Sequence, residues 1–77
     1  MAKSSRIQTD LVTIRIRNVS GVRIISGFCV IGSASPCLGF LTINSRVRRA
    51  ANCLLRNGFV IIGTSRNAVV FQRNRVV

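Results

Sequence analysis

Acidic side chains are nearly absent from this sequence, whose 77 residues include one acid, Asp10, and no Glu. His and Tyr are absent altogether. A general acid–base pair is hard to assemble from this inventory, and a Ser or Cys nucleophile would have no evident base. The composition therefore argues against an enzyme, and we assign no catalytic residue.

Cysteine is also scarce. Cys29, Cys37 and Cys53 are odd in number, and no two of them form a C-x-x-C pair. Without His, the chain lacks a ligand set for zinc. We interpret the three as small buried apolar side chains in a reducing compartment, and we expect no metal, disulfide or cofactor. A chain this short would then gain its stability from a partner.

Positive charge, in contrast, is abundant. Eleven Arg and one Lys stand against the single acid, giving a net charge of +11. Self-repulsion at that density disfavours a compact free monomer, and binding to a polyanion relieves it while releasing counterions. The planar Arg side chain bonds two phosphate oxygens at once and stacks on rings. The charge therefore predicts RNA as the partner.

The clearest predicted element is a helix over residues 45–57. Its apolar positions recur at helical spacing along one face. They are Val47, Ala50, Ala51, Leu54 and Leu55. Asn44 or Ser45 is a suitable N-cap, and Gly58 stands where a glycine commonly ends a helix. Arg46, Arg49 and Arg56 lie on the opposite face with Arg48 beside them, and no acid offsets them, which indicates phosphate contacts.

Residues 9–18 fit two structures. Val12, Ile14 and Ile16 alternate with polar residues as in a strand, whereas Ile7, Leu11, Ile14 and Asn18 fit one face of a helix. The β-branched residues favour the strand. On a strand, Arg15 and Arg17 would share one face beside Asn18 and could contact RNA.

The rest of the chain predicts short strands. Residues 22–31 are one or two strands interrupted at Gly27, and 38–43 is a further extended run. Residues 59–62 and 68–71 are strands joined by a loop at 63–67. All four Phe lie in apolar runs and are expected in the core, so no aromatic platform for base stacking is visible.

These elements predict an α+β fold in which a small sheet packs on one central amphipathic helix at about residues 45–57. The chain would be a single RNA-binding domain, residues 1–77, with a basic N-terminal lead at 1–8 and a basic C-terminal tail at 73–77. Both extensions are expected to lie on the partner. The predicted RNA-binding residues are Arg15, Arg17, Asn18, Arg46, Arg48, Arg49, Arg56, Arg73 and Arg75.

A membrane protein is the alternative. Residues 24–43 carry no charge and are long enough to span a bilayer, which takes about 20 residues. In the middle of that run, however, residues 32–36 have the composition of a turn, and Pro36 would break a helix. The alternative prediction is that the chain is a small basic subunit of a large complex with a single membrane span. We favour RNA binding over this alternative.

Two segments resemble the small-subunit ribosomal protein eight family. Residues 10–18, DLVTIRIRN, are similar to its N-terminal D-x-L-T-R-I-R-N segment with one extra residue. Ser45-Arg46-Val47 followed by residues 54–60, LLRNGFV, is similar to its helix-to-strand segment, one residue short. Residues 68–71 would match the following strand.

The resemblance implies the order α-β-α-β-β, with residues 9–18 as a helix, and so conflicts with the strand reading. It also implies a structural constituent of the small ribosomal subunit that binds and stabilises rRNA beside neighbouring ribosomal proteins. Two features depart from the family: the middle segment, residues 19–44, is longer, and the family's C-terminal domain has no counterpart. Such shortening would suit a mitochondrial ribosome, with a cytoplasmic location as the other option.

Overall fold

The computed structural model describes residues 6–76. Most of the predicted N-terminal lead, residues 1–5, lies outside them, as does Val77. The elements follow the order β1 (Ile7–Val19), β2 (Val22–Ile31), a 3-10 helix (Leu38–Phe40), α1 (Val47–Arg56), β3 (Val60–Thr64) and β4 (Ala68–Val76). The four strands form one antiparallel sheet in the order β2-β1-β4-β3. The α+β class is confirmed, although the sheet rather than the helix dominates.

Strand β1 includes the segment that the sequence left open. Residues 9–18 are extended, so the strand reading is confirmed and the helix implied by the ribosomal resemblance does not form. Alternation puts Val12, Ile14 and Ile16 on the buried face and Arg15 and Arg17 on the exposed face. The β-branched side chains suit a sheet with one covered face.

A tight turn joins β1 to β2. Ser20 and Gly21 both have positive φ, 52° and 81°, as a two-residue turn matched to the twist of a hairpin requires. Strand β2 then runs unbroken through Gly27, where the register slips and a bulge accommodates Ser26.

Helix α1 is shorter than predicted. Arg46, not Asn44 or Ser45, occupies the N-cap, and its side chain makes no capping bond. Asn44 N donates to Ile25 O and Ser45 O accepts from Ile25 N, both at 2.8 Å, so these residues pair with the edge of β2. Gly58 ends the helix as predicted, with φ of 91°.

The core lies between one face of the sheet and a cover formed by α1 and the connection from β2. Val47, Ala50 and Leu54 are buried as predicted, and Ala51 is partly buried against the core. Leu55 is wrong as a core residue, since it remains 46% exposed. The connection adds three buried side chains, Ala34, Cys37 and Leu41.

Three further expectations are wrong. Residues 38–43 are not a strand but begin with the 3-10 helix, and most of the predicted C-terminal tail belongs to β4. Phe59 and Phe71 are buried, but Phe28 and Phe40 are 40% and 43% exposed.

Of the helices within residues 6–76, none has the length and apolar character needed to cross a bilayer.

Candidate nucleic-acid interface

The uncovered face of the sheet carries arginines across neighbouring strands. Arg17 on β1 lies opposite Ile24 on β2, and Ile24 in turn bridges to Arg46. Residues directly opposite in antiparallel strands project to the same side. Arg15, two residues before Arg17, projects to that side as well. The register therefore brings Arg15 and Arg17 to one face, with the backbone of Arg46 paired to the neighbouring strand.

A cleft lies where β1 meets the β3–β4 loop, and we call it the strand-end cleft. It measures about 610 Å³. Its lining includes Arg15, Arg17, Asn18, Ser26, Arg66 and Asn67. Ile16 N donates to Asn67 O at 2.7 Å and holds the loop against β1. The structure thus joins the three predicted β1 residues and adds Arg66, a loop residue that had no local signal.

One residue of this cleft is held in position. Arg17 Nη2 donates to Asn44 Oδ1 at 3.1 Å. Asn44 is fixed in turn by its backbone bond to Ile25. The bond restrains the direction of the Arg17 side chain without placing a negative charge beside it.

The four predicted arginines around α1 line adjoining grooves. Arg48 shares an open groove of about 520 Å³ with Arg23 and Arg46. Arg49 and Arg56 line another groove, about 370 Å³ in volume, on a different side of the helix. A rotation of roughly 100° per residue separates Arg48 from Arg49. Arg46 and Arg49 together line a further groove of about 400 Å³, so Arg46, Arg49 and Arg56 follow one side of the helix with Arg48 beside them. RNA contact by this face stays a prediction.

Arg73 and Arg75, which the sequence predicts to bind RNA, are both bound to Asp10. Arg73 Nε and Arg75 Nε approach Asp10 Oδ2 at 3.0 and 2.6 Å, and Arg75 Nη2 donates to Oδ1 at 3.1 Å. Arg73 also donates to three backbone carbonyls and stacks on Phe59, with 4.4 Å to the ring centroid. These contacts make Arg73 a structural residue.

Asp10 is fully buried at the centre of this cluster. The hydrogen bonds from Arg75 are the largest influence and hold the pKa of the carboxyl far below its usual range. Burial raises this pKa, whereas the hydrogen bonds from Ser33 N–H and Arg73 lower it further. The same pairing raises the pKa of Arg75. Gly32 lies against the carboxylate, and a Cβ there would collide with Asp10 Oδ1.

Acid should destabilise this fold through Asp10. A carboxyl whose pKa is lower in the folded state stabilises the fold fully above its unfolded pKa, near 3.8, and less as pH falls towards the folded value. We expect the midpoint of thermal unfolding to be constant from pH 7 to about 5 and to fall steeply below about pH 4. Because the sequence has no other acidic side chain, only the C-terminal carboxylate titrates nearby. A midpoint unchanged down to pH 2 would contradict this role.

The sequence predicted three free thiols, and this prediction is wrong for two of them. Cys37 and Cys53 form a disulfide with 5.7 Å between their Cα atoms, and Asn57 Nδ2 donates to Cys53 O at 2.8 Å. Cys29 is free and exposed. The odd number and wide spacing hid the pair, because only the packing of the connection against α1 brings the two together. Residues 6–76 contain no cluster of side chains suited to holding a metal ion.

No protein-family model, curated protein or solved structure matches this chain. Function is therefore inferred from its residues and their geometry.

Proposed function

We propose that this protein binds RNA through contacts between its arginines and the phosphate backbone, as a structural rather than catalytic component of a ribonucleoprotein particle. The strand-end cleft carries the proposal. Arg15, Arg17 and Arg66 converge there, and the one acidic side chain in the sequence is already bound to Arg73 and Arg75. A phosphate is the natural counter-charge for such a group.

We propose the ribosome as the ribonucleoprotein particle to which this protein belongs. The resemblance of the segment around α1 to a ribosomal family supports rRNA as the ligand and neighbouring ribosomal proteins as further partners. Co-sedimentation of the protein with ribosomal particles at moderate salt tests this setting.

Combined replacement of Arg15, Arg17 and Arg66 by Gln should weaken binding to a duplex RNA by about tenfold or more and make its salt dependence shallower. Each lost phosphate contact reduces the slope of log K against log salt by about 0.7–0.9. Filter binding at several salt concentrations measures both quantities, and circular dichroism checks that the fold is retained.

A matched control removes the same charge elsewhere. Arg6, Arg23 and Arg48 are exposed and lie outside the strand-end cleft. Their combined replacement by Gln should weaken binding much less. Equal losses in the two triple variants would mean that net charge alone drives binding, and unchanged binding in the first would exclude the cleft.

A further inference from the structure

A second groove pairs cationic side chains with an exposed aromatic ring. Phe40 lines it together with Arg49, Asn52 and Arg56 of α1, and we call it the Phe40 groove. Positions 49, 52 and 56 are spaced by three and four residues, so their side chains follow one line along the helix. Phe40 lines the groove with these side chains and is 43% exposed.

The exposure of Phe40 is fixed by its neighbours. Phe40 N donates to Cys37 O at 2.9 Å, and Leu41 N donates to Leu38 O at 3.0 Å. Cys37 is bonded to Cys53 on α1, and Leu41 is buried in the core. The segment bearing the ring is thus anchored on both sides of Phe40, and one anchor is covalently joined to the helix that forms the opposite wall.

An exposed aromatic ring beside arginines is a typical site for base stacking in an RNA-binding protein. Unpaired bases stack on aromatic side chains, while arginines contact the flanking phosphates. An exposed Asn can hydrogen-bond the edge of an unpaired base. A groove of about 370 Å³ is within the range of small-ligand sites.

We propose that the Phe40 groove binds an unpaired nucleotide of RNA, with the base stacked on Phe40 and its phosphates against Arg49 and Arg56. This inference rests on the proposed function but concerns a different site and a different RNA structure. The strand-end cleft contacts the backbone of paired RNA, and the Phe40 groove binds a single-stranded segment. The disulfide Cys37–Cys53 keeps the two walls of the groove at a fixed separation.

The decisive variant is Phe40→Leu, which keeps an apolar side chain but removes the stacking ring. It should weaken binding of the oxidised full-length chain to a short single-stranded RNA about tenfold or more, because stacking on one aromatic ring contributes that much. Binding to a blunt-ended RNA duplex, which has no unpaired nucleotide, should not change. Phe40→Tyr retains a ring and should bind as the unaltered protein does, and Leu38→Ala on the same turn is the control for lost apolar surface.

The same oligonucleotide with abasic sites separates stacking from charge. It should bind the unaltered protein as weakly as the complete oligonucleotide binds Phe40→Leu. Equal binding of the abasic and complete strands, or an unchanged affinity in Phe40→Leu, would overturn the Phe40 groove while leaving the proposed function intact. Absence of binding to both the single strand and the duplex at low salt would instead refute the proposed function together with this inference.

Discussion

Asp10→Asn is expected to destabilise the fold by about 3–5 kcal/mol, which would leave a domain this small largely unfolded at 25 °C. The substitution keeps the size of the side chain and removes its charge. Arg73, whose side chain is only 12% exposed, and Arg75 would then lose the carboxylate that both contact. A mostly buried guanidinium without its counter-charge accounts for the size of the effect. Urea unfolding followed by circular dichroism measures it.

Loss of the carboxylate also raises an already large net positive charge. Thr64→Lys adds the same charge at an exposed position on β3, away from the ion cluster. It should change the free energy of unfolding by less than about 0.5 kcal/mol, as surface substitutions usually do. Similar losses in the two variants would show that general repulsion, and not the buried cluster, limits stability.

Leu54→Ala should lower the free energy of unfolding by about 2–5 kcal/mol. Leu54 is fully buried on the face of α1 that packs into the core, and truncation to Ala leaves a cavity there. Chemical denaturation gives the value directly, and the slope of the transition should stay the same.

The adjacent leucine provides a matched control. Leu55 has the same chemistry on the same helix but is 46% exposed, so Leu55→Ala should cost less than about 1 kcal/mol. The sequence placed both leucines on the packed face, and equal losses would support that placement. A larger loss at Leu54 would support the structure.

Local patterns were sufficient for part of the interface. Alternation along β1 put Arg15 and Arg17 on one side of a strand, and the structure has them there. Arg66 was missed, because a loop residue joins that cleft only through the packing of the β3–β4 loop against β1. The position of Phe40 beside Arg49 and Arg56 was also missed, because it depends on a segment distant in sequence.

Composition and periodicity by themselves determined the charge, the α+β class and the end of the helix at Gly58, because charge, side-chain branching and glycine's access to positive φ are properties of single residues or near neighbours. They favoured a strand at residues 9–18 but left a helix open there. Only the tertiary structure decided which arginines remain available to a ligand. Pairing of β1 with β4 puts Asp10 opposite Arg73, and the one carboxylate then binds both Arg73 and Arg75. The Cys37–Cys53 disulfide and the exposure of Phe40 likewise depend on contacts between residues far apart in the chain, on which local sequence carries no information.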